Sequence, residues 1–129
     1  MSYASSKNPL LDPFWEGARA HRLMLQQCHD CGNRRFPPMA ACPDCLSENL
    51  AWSEASGGGR VLSEITFHQR YWPDRDPPYD VLLIELDEGP LMMSGAVEGH
   101  ALPDVGDRVR VMFETRGDGS VIPQFVRDE

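Results

Sequence analysis

Four cysteines, Cys28, Cys31, Cys42 and Cys45, form two Cys-x-x-Cys pairs in "CHDCGNRRFPPMAACPDC", and they are all the cysteines in the chain. Few features constrain a fold so strongly. Two such pairs supply the ligands of a tetrahedral four-sulfur metal site. Each pair can turn as a tight knuckle, with its sulfurs on one side and backbone N–H groups donating to them. Gly32 follows the first pair, as such a turn prefers. Pro43 stiffens the second. Leu46 stands where glycine is more usual, so a different exit is expected there. The ten residues between the pairs suffice for a hairpin through "RRFPPMA".

Three other readings compete. Disulfides are disfavoured in a reducing compartment. A thioredoxin-like redox centre needs one Cys-x-x-Cys at a helix start, not two facing pairs. A degenerate metal site would lack cysteines, and all four are present. Zinc is favoured over iron because nothing else points to electron transfer, although four thiolates bind either. Four cysteine ligands leave no open position, so the expected site is structural, not catalytic. Such a site can hold a module with little core of its own.

The reducing compartment is itself an inference. The chain has 129 residues, and "MSYASSKNPLLDPFWEG" lacks the basic-then-apolar order of a secretory signal. No apolar run approaches the roughly 20 residues of a membrane helix. A cytoplasmic protein with no membrane partner is expected. The net charge is −8, and residues 80–129, with four basic and eleven acidic groups, supply −7 of it. Nucleic-acid affinity comes largely from Lys and Arg releasing counterions, and no basic cluster is visible.

Along the chain, Asp12 is placed to cap a helix and Pro13 to start it, so "PFWEGARAHR" reads as a short helix despite Gly17. "RLMLQQC" alternates with period two and predicts a strand into the first knuckle. "SGGG", Ser56–Gly59, predicts a flexible joint. "RVLSEITFHQRYW" predicts a strand with Val61, Ser63, Ile65 and Phe67 on one face. "YDVLLIELDEGPLMMSGAVEG" predicts two strands turning at "DEGP", with "VLLIEL" central. "RVRVMFET" and "VIPQFV" follow around "RGDGS", with Pro123 marking an edge or bulge. Five strands of this kind fit a small closed barrel such as the oligonucleotide/oligosaccharide-binding (OB) fold, with a small sandwich as the alternative.

Catalytic groups are sparse. His21, His29 and His100 have no evident nucleophilic partner, and His68 lies on a strand beside Gln69, Arg70, Tyr71 and Trp72. Nucleophile elbows, phosphate loops and dinucleotide fingerprints are absent. The chain offers aromatic and apolar surface instead. Phe14 and Trp15 precede the cysteines, and Tyr71, Trp72 and Tyr79 bracket a loop that carries Arg75. With Arg70, these suit partner contact or adenine stacking; Trp15 and Tyr79 could equally be core residues.

The ordered set "PFWEGARAHRLMLQQCHDCG", "CPDC", "GRVLSEITFHQR", "PPYDVLLIELDEGPLMMS" and "VGDRVRVMFE" resembles the acyl-CoA-associated zinc-ribbon/OB-fold family over residues 10–127. That family was long catalogued as a domain of unknown function. The resemblance implies a mainly β chain. It divides into an N-terminal helical arm (1–22), a rubredoxin-like zinc ribbon (23–56) and a five-stranded OB barrel (57–129). It implies Cys28, Cys31, Cys42 and Cys45 as ligands of a structural zinc. Members accompany thiolase-like or lipid-transfer-protein-like enzymes as accessory subunits that stabilise the partner or help hold acyl-CoA. Some are fused to a hydratase-like domain, for which this chain is too short. The expected role is a non-catalytic scaffold whose partner supplies the catalytic groups. Phe14, Trp15, His68, Arg70, Tyr71, Trp72, Arg75 and Tyr79 are the candidate partner or acyl-CoA contacts. The rival is a single-stranded nucleic-acid-binding module, which the charge disfavours.

Overall fold

The computed structural model of the chain describes residues 9–70, 76–97 and 99–128. It opens with a 3-10 turn, Pro9–Leu11, running into helix α1, Asp12–Arg19. Asp12 does not cap this helix. Leu11 holds the cap position without a side-chain hydrogen bond, and Asp12 lies inside the first turn, where its charge favours the positive helix end. Gly17 is there for want of space: a Cβ would lie 2.3 Å from Met24 Cγ.

Strands β1 (Met24–Cys28), β2 (Arg34–Arg35) and β3 (Leu50–Glu54) form a three-stranded antiparallel sheet in the order β2-β1-β3. Strands β4 (Gly58–Phe67), β5 (Tyr79–Leu86), β6 (Leu91–Ala96), β7 (Arg108–Thr115) and β8 (Val121–Arg127) close a barrel in the order β4-β5-β6-β8-β7. β5 is central between β4 and β6, as its apolar run predicts.

Two expectations about β4 are corrected. Ser56–Gly59 is not a flexible joint. Gly58 and Gly59 begin the strand and pair with β7 and β5. A Cβ on Gly59 would stand 2.7 Å from the Glu85 carbonyl, and one on Gly57 would stand 2.6 Å from Val111 Cγ1. Glycine is needed there because strands approach closely where the barrel closes. The single apolar face of β4 also breaks. The register slips between Val61 and Ser63, leaving Leu62 as the extra residue of a bulge. Val61 therefore points into the core while Ile65 is exposed.

One core joins the helix, the cysteine-bearing sheet and the barrel. Phe14 of α1, Leu23 and Leu25 around β1, and Ala55 pack with Val61, Leu82, Ile84, Leu86, Met92, Val109 and Phe125 of the barrel. The cysteine-bearing sheet thus buries its apolar side against the barrel. Arg108 spans the closure with two hydrogen bonds to the Asp87 carboxylate, 2.6 and 2.9 Å.

Two outcomes follow from this packing. Phe14→Ala is expected to cost about 3–5 kcal/mol, the usual range for a buried phenylalanine, in urea unfolding. Arg108 holds the Asp87 carboxyl below the usual carboxylate range, chiefly through those hydrogen bonds. The pair therefore stabilises above the unfolded-state pKa of about 3.9 and loses that contribution as pH falls through the lower folded value. Arg108→Met should flatten this acid limb and cost little stability at pH 7, because both groups are partly exposed. Urea melts at pH 7 and pH 3 check it.

Candidate functional site

The four sulfurs converge. Their ligand atoms all lie within 4.8 Å of one another. Cys28 Sγ and Cys45 Sγ are 3.5 Å apart, and Cys31 Sγ and Cys42 Sγ are 3.6 Å apart. None is in a disulfide. Metal–sulfur bonds of about 2.3 Å in a tetrahedron require sulfurs about 3.8 Å apart, so the cluster has the size of a four-thiolate metal centre.

The two knuckles are near copies. In the first, the Gly32 N–H bonds the Cys28 carbonyl at 2.8 Å and the Cys28 N–H bonds the Asn33 carbonyl at 2.9 Å. In the second, the Leu46 N–H bonds the Cys42 carbonyl and the Cys42 N–H bonds the Ser47 carbonyl, both at 2.8 Å. Both therefore leave through the same left-handed residue, Gly32 at φ 80° and Leu46 at φ 65°. The different exit expected for Leu46 is not found. Its exposed side chain meets no neighbour that forbids the turn, and two backbone hydrogen bonds hold a conformation that costs about 1–2 kcal/mol outside glycine.

Each knuckle also clamps the other. Asp30 accepts from Ser47 Oγ and Asn49 Nδ2, while Asp44 accepts from Asn33 Nδ2 at 2.6 Å. The Ser47 hydroxyl and then the Asn49 amide hold the Asp30 carboxyl below its ordinary range. The repeated Cys-x-Asp-Cys of "CHDC" and "CPDC" is the sequence signal for these aspartates, and motif spacing alone overlooks it. The intervening loop is pinned by Gln26, whose side-chain amide exchanges two 2.9 Å hydrogen bonds with the Met39 backbone.

Crowding splits the thiols. The Cys31 backbone N–H draws the Cys28 thiol down. Burial raises Cys42, but the Cys45 and Asp44 N–H groups outweigh it and bring the thiol to about 6. The Ser47 N–H lowers Cys45, yet the Cys28 sulfur, burial and the other two sulfurs push it up to about 12. Cys31 also rises: the Asn33 N–H lowers it, but burial and the Cys42 and Cys28 sulfurs prevail. Four negative charges cannot share this space unaided, and a bound metal cation would supply the missing compensation.

A second feature lies where α1 and the loop after β2 meet the barrel. The β6–β8 ladder pairs Gly95 with Gln124 and Ala96 with Phe125. Beside it, Pro123 pairs with Phe113 of β7 but has no N–H to extend the short β6–β8 ladder. β8 lies within the closed barrel and is not the edge its proline suggests. The Pro123 carbonyl accepts from Ser94 Oγ at 2.8 Å. A groove of about 300 Å³ lies along this seam, walled by Phe14, Trp15, Phe36, Tyr79, Met92 and Ile122 among others. Phe14 packs at a tilt against Phe36, with ring centroids 4.7 Å apart, and meets Trp15 edge-on at 5.0 Å. Trp15 Nε1 is shielded from solvent and has no hydrogen-bond partner among the described residues.

Of the candidate contact residues, Phe14, Trp15 and Tyr79 come together in this groove. His68 and Arg70 do not line it. Both are exposed beyond the end of β4, and Arg70 pairs with Asp76. Tyr71, Trp72 and Arg75 lie outside the described residues. Phe36, Met92 and Ile122 were missed because nothing in their local sequence marks them as neighbours of Phe14. Among the described residues no helix is long and apolar enough to cross a membrane.

Comparison with known proteins adds an independent line. Residues 15–51 match the ChsH2 rubredoxin-like zinc ribbon domain, and residues 52–114 match the ChsH2 C-terminal OB-fold domain. A DUF35 domain-containing scaffold protein of Methanothermobacter thermautotrophicus is 33% identical over 98 residues, covering 72% of each chain. A 3-oxo-4,17-pregnadiene-20-carboxyl-CoA hydratase alpha subunit of Mycobacterium tuberculosis is 36% identical over 86 residues. A probable enoyl-CoA hydratase alpha subunit of Thermomonospora curvata is 40% identical over 85 residues. The matches span about two thirds of this chain but only 27% of each hydratase subunit. Among solved structures, a chain of the "Ltp2-ChsH2(DUF35) aldolase" superposes with a TM-score of 0.84 at 31% identity, covering 95% of this chain and 97% of that one.

The sulfur cluster makes a direct test possible. Cys31→Ser is expected to lower bound metal well below one ion per chain and to destabilise the cysteine-bearing sheet. With serine at both Cys28 and Cys31, elemental analysis should find almost no metal; full occupancy in that double variant would refute the assignment.

Proposed function

The chain belongs to the DUF35 family, with a ChsH2-type rubredoxin-like zinc ribbon and OB-fold, and on that premise we propose that it is a non-catalytic scaffold subunit of an acyl-CoA-processing enzyme. Its partner is a thiolase-like or lipid-transfer-protein-like chain of the cytoplasm that supplies the nucleophile and base. The metal is zinc, held by Cys28, Cys31, Cys42 and Cys45. It serves as a structural cross-link, and with four protein sulfurs around it no position remains for substrate.

The observation that carries this reading is the groove. It is mainly aromatic and aliphatic, and among the described residues no histidine or cysteine lines it. Its polar members are engaged: Asp80 accepts from Thr66 Oγ1, Ser94 Oγ donates to the Pro123 carbonyl, and the Gln124 amide donates to Glu114. Such a surface can seat a partner's apolar side chains or the acyl part of a thioester, but it holds no pair of groups able to attack one. Trp15 Nε1 would find its acceptor in whatever fills the groove. The names of the similar proteins, hydratase alpha subunits, scaffold proteins and an aldolase complex, support the same direction. Nucleic-acid binding fares worse. Seven arginines, Arg22, Arg35, Arg70, Arg108, Arg110, Arg116 and Arg127, already face carboxylates. Phosphates would have to displace those acids.

Affinity purification of the full chain from its source cell, with co-purifying chains identified by mass, tests the proposal. A thiolase-like catalytic chain is expected in fixed ratio, and the isolated subunit is expected to leave acyl-CoA substrates unchanged. Turnover by the isolated chain, or its recovery alone or with nucleic acid, would overturn the reading.

A further inference from the structure

Arg35 occupies a position that nothing in the scaffold reading uses. It ends β2, and its side chain is only 11% exposed. Its Nη2 lies 3.0 Å from Cys42 Sγ, while the Asp44 carboxylate is farther off at 3.9 Å. Its Nε is buried with no hydrogen-bond partner. A guanidinium taken out of water needs a compensating anion, and a neutral thiol is a poor acceptor. The Asp44 carboxylate meets that need only at 3.9 Å, and the Cys42 sulfur, a thiolate when it binds a metal, lies nearer.

We infer that Arg35 is a positioning residue of the metal centre: its guanidinium holds the Cys42 thiolate and offsets part of the negative charge that four thiolates bring to one divalent ion. Four thiolates around a doubly charged cation leave the centre at −2, and one guanidinium beside it halves that. Cys42 is one of the two buried ligands, so water cannot screen its charge as it can for the exposed Cys31 and Cys45. β2 is short, but its pairing of Arg35 with Gln26 sets the guanidinium on the sulfur side of the sheet. Gln26 also pins the loop that returns to Cys42. A charged donor on sulfur strengthens the closed, fully deprotonated state and lowers the electron donation of that sulfur to the metal.

The inference rests on the four sulfurs holding a metal, and the test separates the two. The full chain is loaded with zinc, and its affinity is measured by competition with a chelator. It is also loaded with cobalt(II), and the sulfur-to-cobalt charge-transfer band is recorded. Arg35→Met is expected to weaken zinc binding about 10- to 100-fold, the range found for groups that support metal ligands, and to move the cobalt band to lower energy. Arg35→Lys keeps the charge without the fork and should lie between Arg35→Met and the wild type in both readouts. A merely structural arginine would leave the band in place, and an unshifted band with either affinity result would overturn the inference. If Arg35→Met does not fold, Arg35→Lys against Arg35→Gln, which differ in charge, decides on the same two readouts. A wild-type chain that binds neither metal would overturn the metal assignment itself, and the role of Arg35 with it.

Discussion

Four sulfur atoms held within 4.8 Å of one another set the terms for the N-terminal half of this protein. Like charges at that separation repel, so the backbone around them is organised to tolerate and then neutralise them. N–H groups of both knuckles aim at the sulfurs. Asp30 and Asp44 tie each knuckle to the other's exit. Arg35 brings a cation to the buried side. These contacts are individually modest, but they act on one small volume and reinforce one geometry.

The cysteine-bearing sheet is too small to bury a core between its own three strands. Leu23 and Leu25 instead join the barrel core, together with Phe14. This shared burial makes the arm, the sheet and the barrel one packing unit, and it brings Phe36 against Phe14. The groove is a consequence: Trp15 and Phe36 lie over the seam where β6 and β8 pair only at Gly95–Gln124 and Ala96–Phe125, beside Pro123. A rigid apolar recess of this kind can receive another surface with little ordering cost.

Legibility varied with distance along the chain. The first strand and the paired strands around "DEGP" and "RGDGS" follow from local periodicity and turn chemistry. The helix forms too, but it stops at Arg19 instead of running to Arg22, because the chain turns left-handed at His21, φ 59°. Local rules misled at Asp12, at Leu46 and along β4. Leu46 takes a left-handed turn because two backbone hydrogen bonds outweigh its propensity. The Leu62 bulge inverts the face of β4, since one extra residue reverses a period of two. Gly57, Gly58 and Gly59 look like a joint in isolation and are a close-packed strand start in the barrel.

The four-cysteine cluster was legible in the sequence alone, because Cys-x-x-Cys geometry is local and needs no knowledge of the rest of the fold. The acidic charge balance and the scarcity of catalytic groups were equally plain, being properties of composition. Only the tertiary structure decided what surrounds them. The groove joins residues from Leu11 to Gln124, and the guanidinium of Arg35 meets a sulfur seven positions away across a loop pinned by Gln26. Such neighbours depend on strand register, on one bulge and on which side of a sheet a side chain leaves. Those choices are settled when the whole core packs, not by any segment of the chain on its own.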